Sequence, residues 1–146
     1  KDIIALVDSE VSQTDEFIKL ILLEVNCGST RNPKVKVVLD FKGKEFEKVE
    51  SGNGPVDSIF KAINNIIDNN AKLELFLINA ITKGTDAQAE VSVRLSENGI
   101  SVNGTSSDTD TMVASAKAYI IALNKLILKR MKKNSDINLS TKILTK

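Results

Sequence analysis

Two kinds of hydrophobic spacing take turns along this chain, and the turn-taking happens twice. Lys1 to Val11 places Ile3, Ile4, Leu6, Val7 and Val11 at helical spacing and reads as the end of a helix or linker begun upstream. Ser12 to Glu16 is polar and breaks that pattern. Phe17 to Val25 is apolar at nearly every position, which predicts a central strand covered on both faces. Asn26 to Lys34, with Gly28, Asn32 and Pro33, is a loop. Val35, Val37, Leu39 and Phe41 then alternate with Lys36, Asp40 and Lys42, the mark of a half-buried strand. Lys42-Gly43-Lys44 is a tight turn and Glu45 to Glu50 the return strand. After Ser51-Gly52-Asn53-Gly54, Pro55 suits the first position of a helix. Val56, Ile59, Phe60, Ile63 and Ile67 give that helix one apolar face as far as about Asp68, and Asn69-Asn70 ends it.

The same series follows again. Leu73 to Ile81 is a second nearly continuous apolar strand, and Thr82 to Asp86 a loop. Ala87, Ala89, Val91, Val93 and Leu95 alternate strictly with polar residues, and Asn98-Gly99 is a strong hairpin turn into Ile100 and Val102. Gly104 to Asp110 reads as a second glycine-containing loop. Val113, Ala116, Tyr119, Ile120, Leu123 and Ile127 mark a second long helix. From Lys129 the chain is rich in Lys, Asn and Ser and reads as a basic, frayed tail. The expected fold is α+β: two pseudo-symmetric β-β-β-α units with antiparallel hairpins and helices packed on the sheets. Residues 1–16 would close a preceding linker, 17–70 and 71–128 would be the two repeats, and 129–146 the tail.

Composition narrows the function. At 146 residues and 42% hydrophobic content the chain can bury one real core. Twenty basic against 19 acidic residues leave a net charge of +1, without the basic excess of a nucleic-acid surface. There is no histidine, which removes Ser-His-Asp triads and most zinc sites, and nothing to activate the single Cys27. No apolar run approaches the roughly 18 residues of a membrane helix, and no signal peptide is visible. A cytoplasmic setting with neither nucleic-acid nor membrane partners is expected. The chain opens on Lys, as a piece of something longer would.

The candidate chemistry gathers at the strand-to-helix step Ser51–Ile63. Its glycines permit positive φ and close approach of bare backbone, and a helix start offers N–H groups to a carboxylate or phosphate. Asp57 lies in the first helical turn, so an anion site beside a carboxylate would suit a zwitterion. Gly52-Asn53-Gly54 by itself is equally a tight turn, lacking the Lys-Ser/Thr of a P-loop and the third glycine of a dinucleotide fingerprint. Asp108 and Asp110 could be an acid/base pair or hold a cation, but their position fits capping of the second helix. No nucleophile–base pair is evident, so the chain reads as non-catalytic.

The longer string Ser-Gly-Asn-Gly-Pro-Val-Asp followed by a helix resembles the C-terminal regulatory, dimerisation and allosteric domain of the 2-isopropylmalate synthase family, whose relatives include citramalate synthase. Leu22–Gly28 with Lys34–Leu39, Gly84-Thr85-Asp86-Ala87-Gln88-Ala89, and Ala114–Tyr119 with Leu123-Asn124 carry the likeness through Phe17–Leu128. The resemblance implies a homodimer binding an end-product amino acid, leucine or isoleucine, and inhibiting an upstream catalytic TIM barrel of the same chain. That barrel would use a divalent metal and acetyl-CoA; the domain itself would hold neither metal nor cofactor. Carried over position by position, the likeness places Gly52, Asn53, Gly54, Val56 and Asp57 on one side of the effector pocket and Leu73, Phe76, Ala80 and Ala87 on the other. The second loop, Gly104–Asp108, lacks a second glycine and is not assigned to the pocket. Asp57, or else Asp86, would meet the effector's ammonium. Leu73 and Phe76 on one strand should face opposite ways unless a bulge or a shared dimer pocket reconciles them. Small Ala80 favours leucine and the isopropylmalate enzyme. A dimerisation module that binds no effector, and a small enzyme built on Asp108 and Asp110, are the competing readings.

Overall fold

The computed structural model describes residues 17–26, 32–84 and 86–144, with side-chain surroundings as far as Lys132 apart from Lys83. The expected linker at 1–16, Cys27 and most of the Asn26–Lys34 loop lie outside the described residues. The elements run β1 (Ile18–Asn26), β2 (Lys34–Phe41), β3 (Lys44–Ser51), α1 (Pro55–Ile66), β4 (Lys72–Lys83), β5 (Asp86–Glu97), β6 (Ile100–Asp108) and α2 (Thr111–Leu144). They form two antiparallel three-stranded sheets, β1-β2-β3 and β4-β5-β6, each followed by its helix. This is the duplicated β-β-β-α, α+β arrangement that the spacing predicts.

The repetition extends to detail. Both inner hairpins turn on two residues with positive φ, Lys42 (54°) and Gly43 (84°) in the first unit, Asn98 (51°) and Gly99 (81°) in the second. That is the type I′ geometry whose twist matches paired strands. Asp40 Oδ1 accepts the Gly43 N–H at 2.9 Å and stiffens the first turn. Both opening strands carry a bulge, at Ile21 between Leu20 and Leu22 and at Glu74 between Leu73 and Leu75. An extra residue flips the facing of everything beyond it. Leu73 therefore pairs with Leu95 and Phe76 with Val93, which puts both on the helix side of the second sheet.

One apolar core joins the units. Val35, Val37 and Leu39 meet Ile59 and Ile63 of α1, while Val91, Val93 and Leu95 meet the Ala114–Leu126 face of α2, all buried. α2 packs on β5 and β6 and also touches β1 and α1. It comes very close to β6: a Cβ on Gly104 would lie 2.1 Å from the Ala118 carbonyl oxygen and 2.7 Å from Ala122 N. Gly104 is thus a strand residue admitting a helix, and the loop expected from Gly104 to Asp110 shrinks to Thr109-Asp110. Buried Glu97 ties the units, accepting the Asn70 N–H at 2.7 Å and pairing with Arg130 Nη2 at 2.7 Å.

Three further expectations change. β1 and β4 are edge strands of their sheets, not central ones, and leave apolar side chains in the open: Ile21 is 52% exposed, Leu73 46%, Leu77 46% and Ile78 45%. An apolar run therefore reported an uncovered strand as readily as a twice-covered one. Past Lys129 the chain stays helical to Leu144 instead of fraying. The Thr111–Lys132 stretch is apolar and long enough to span a bilayer by composition, but half of it is buried against the sheets.

Candidate functional site

The step from β3 into α1 is built without positive φ. Gly54 is the N-cap in extended conformation (φ −154°, ψ 169°), Pro55 opens the helix, and no side chain caps it. Neither loop glycine uses the positive φ it permits; one of them is instead required for space. A Cβ on Gly52 would lie 2.5 Å from Asp57 Oδ2 and 3.0 Å from Ser58 Oγ, whereas a Cβ on Gly54 would meet nothing within 4 Å. Asp57 folds back over the loop and its Oδ2 accepts the Asn53 N–H at 3.3 Å. Ser58 donates both its N–H (2.9 Å) and its hydroxyl (2.8 Å) to the Gly54 carbonyl. The N–H groups of Val56 and Asp57 have no partner among the described residues, and unpaired first-turn donors carry the positive end of the helix dipole.

Beside this step an open cleft of about 480 Å³ lies between α1, the start of β4 and α2. Asp57, Lys61 and Asn64 give it a polar wall, and Phe60, Ala71 and Leu73 an apolar one. Tyr119 of α2 closes it, its ring stacked on Phe60 with centroids 4.2 Å apart; Phe76 meets Phe60 edge-on at 5.7 Å. The Tyr119 hydroxyl donates to Asn64 Oδ1 at 2.8 Å. Burial pushes the Tyr119 phenol above its usual value, against a smaller opposing effect of Asn64, so it stays protonated and donating. Asn69 donates to the same Asn64 oxygen at 3.1 Å, and its own amide is oriented by the Ala71 N–H at 3.0 Å and the Ile67 carbonyl at 2.8 Å. With Asn64 Oδ1 taken twice, its Nδ2 is left as the donor available to the cleft.

The structure therefore gathers Gly52, Asn53, Gly54, Val56 and Asp57 at one helix start, sets Leu73 across the cleft, and places Phe76 behind Phe60. Ala80 and Ala87 stand apart. Both share the face of Leu73, paired with Ala89 and Thr82 respectively, but near the exposed end of the β4–β5 hairpin. From Leu73 to Ala80 is roughly 20 Å at the rise of an extended strand. Asp86, at the hairpin end opposite Lys83, is farther still from the cleft. Sequence reasoning left Phe60, Asn64 and Tyr119 unassigned because the two rings fall on apolar helix faces that read as plain core. The one hint was a lone tyrosine on such a face, whose hydroxyl needs a partner once buried.

The other acidic pair behaves as the capping alternative predicts. Asp110 Oδ1 accepts the Met112 N–H at 2.8 Å and Asp108 Oδ1 accepts the Asp110 N–H at 2.9 Å. Among the described residues no three of Asp, Glu, His and Cys converge on a point where a metal could sit.

Residues 1–127 match the family described as the LeuA allosteric (dimerisation) domain. The chain is 49% identical over 132 residues to a 2-isopropylmalate synthase of Rhodopseudomonas palustris (strain BisA53), 48% identical to that of Afipia carboxidovorans and 47% identical to that of Bradyrhizobium diazoefficiens. Each alignment covers 90% of this chain and 25% of the relative, so the chain spans a quarter of the length of these curated proteins. With most of its length matched, and with the doubled β-β-β-α architecture in place, this chain belongs to the LeuA allosteric (dimerisation) domain family.

Proposed function

We propose that this chain is the effector-sensing, dimerising domain of a 2-isopropylmalate synthase, binding leucine at the start of α1 and so inhibiting a catalytic barrel upstream. That barrel condenses acetyl-CoA with a 2-oxo acid using a divalent metal. The observation that carries the reading is the uncapped α1 start with Asp57 held over Gly52, beside a cleft apolar on one wall. A leucine carboxylate finds the Val56 and Asp57 N–H groups, and its ammonium finds Asp57 Oδ1, the oxygen not engaged by Asn53. Its branched side chain gains about 0.8 kcal/mol per buried CH₂ on the Leu73 side. Ala80 and Ala87 join this pocket from a second copy, whose hairpin end would have to approach the glycine loop.

The open apolar edge of β4 supports the dimer. Leu75 and Leu77 on one face and Leu73 and Ile78 on the other are each 39–46% exposed, and an apolar edge strand is a surface that another chain covers. That observation taken alone also supports a dimerisation module without effector. Calorimetric titration with leucine, isoleucine and valine separates the readings. Tightest binding of leucine, lost in Asp57→Ala with the dimer intact, is the expected result. Tightest binding of isoleucine moves the assignment to a citramalate synthase, and no binding of any of the three leaves the dimerisation module.

A further inference from the structure

A groove on the side of α2 away from the effector cleft is not used by any of this. Ser101, Val102 and Asn103 of β6 form one side, and Lys125, Leu128, Lys129 and Lys132 of α2 the other, around about 360 Å³. Lys125 Nζ is engaged by the Asn103 carbonyl at 2.8 Å. Lys129 and Lys132 are exposed and have no anionic partner among the described residues, and no acidic side chain lines the groove. Three ammonium groups over a floor of Val102 and Leu128 call for a segment that is both acidic and apolar.

β1 begins close to this groove. Ile18 is clamped to Asn124 of α2, its N–H donating to Oδ1 at 2.8 Å and its carbonyl accepting from Nδ2 at 3.1 Å. Leu20 lies further up the helix beside Ile120 and Ile121. β1 thus runs antiparallel to α2, with its first residue at the level of Asn124, next to the Lys125–Lys132 stretch. Asn124 to Lys132 is about 12 Å of helix, a span that roughly four extended residues cover. Residues 1–16 hold Asp2, Asp8, Glu10, Asp15 and Glu16 against the single Lys1, with Leu6, Val7 and Val11 among them.

We propose that the acidic segment Lys1–Glu16 of this same chain docks in the groove between β6 and the Lys125–Lys132 stretch of α2. The contact joins the part of the chain that leads upstream to the helix that carries Tyr119 into the effector cleft. It stands or falls independently of leucine binding.

The test uses the 146-residue chain with Cys27→Ser and a nitroxide on Ser9→Cys. Docking quenches the amide resonances of Ser101–Asn103 and Lys125–Lys132; both added salt and the double variant Lys129→Glu/Lys132→Glu release that quenching. Both lysines are exposed, so unshifted resonances elsewhere verify the fold of the variant. Quenching confined to the residues next to Phe17, or unchanged in the double variant, overturns the proposal. So does quenching found only when isotope-labelled and spin-labelled copies are mixed, which would assign the groove to a second copy's segment.

Discussion

The first unit (β1–β3 with α1) and the second (β4–β6 with α2) share a bulged opening strand, a type I′ turn and a direct step from third strand to helix, yet they begin their helices differently. In the second unit Asp110 accepts the Met112 N–H and is itself held by Asp108, so the start of α2 is capped by its own chain. In the first unit Gly54 supplies no side chain, Asp57 bends away to Asn53, and the Val56 and Asp57 N–H groups are left over. The glycines divide in the same way. Gly104 is pressed by a helix backbone, while Gly52 is pressed by the ends of two side chains, Asp57 and Ser58. A duplicated scaffold has thus kept one helix start for stability and left the other with donors to spare. The difference is what supports placing the proposed binding function in the first unit.

The largest effect separates the glycines. In Gly104→Ala the new methyl group meets the Ala118 carbonyl oxygen, and neither strand nor helix backbone can yield cheaply. A loss of about 1–3 kcal/mol is expected, the range for overpacking a well-filled interior. Gly52→Ala displaces the Asp57 carboxylate instead, so its expected signature is weakened effector binding with a smaller loss of stability. Gly54→Ala, with extended backbone and open space, should leave stability nearly unchanged. Denaturant unfolding of the three variants checks the order. Equal losses at positions 52 and 104 would erase the distinction between the units.

A smaller effect comes from exchanging the helix starts. Asp110→Ala removes the cap of α2 and should cost about 1 kcal/mol. Gly54→Ser gives α1 the cap it lacks, for a gain of only a few tenths of a kcal/mol, but occupies first-turn donors. Stability up and effector binding down in Gly54→Ser is the expected pair of outcomes, read by thermal unfolding and calorimetry on one sample. Unchanged binding would place the ligand's carboxylate elsewhere.

Why these differences escaped sequence reading is physical. Alternation at Val35–Phe41 and Ala87–Leu95 was legible because those strands have one covered face, and the Asn98-Gly99 turn because only a few residues tolerate positive φ. The exposure of Ile21, Leu73 and Leu77 was not legible: an apolar run records that a surface is to be covered, not whether the same chain covers it. The bulge at Glu74, which puts Leu73 and Phe76 on one face, leaves no signature beyond an acidic residue in an apolar strand. Gly104 looked like loop punctuation because a glycine needed for space and one needed for φ are the same letter. Of the candidate site, the Gly52–Asp57 helix start beside the cleft could be read from local spacing. Phe60, Asn64 and Tyr119 could not, since a hydrogen bond from residue 119 to residue 64 exists only once the two units pack.

The smallest expected effect tests whether the acidic residues at the α2 start are structural alone. The Asp110 N–H donating to Asp108 holds the Asp108 carboxyl below its ordinary value of 3.8, with Lys117 Nζ at 3.6 Å helping, while slight desolvation works against them. A carboxyl that gives up its proton more readily in the folded chain stabilises that chain when ionised. The contribution is therefore complete above the unfolded value and disappears as pH falls through the folded one. The group is partly open to solvent, which keeps the effect small. Asp108→Asn retains an acceptor for the Asp110 N–H and loses only the charge. It should unfold slightly earlier than the parent at neutral pH, and the gap should close as pH is lowered below about 4. Effector affinity should not move at any pH in this variant, because its charge serves α2 and not the α1 cleft. A shift in affinity would mean that the two helix starts share one ligand field, and the division of labour between the units would have to be abandoned.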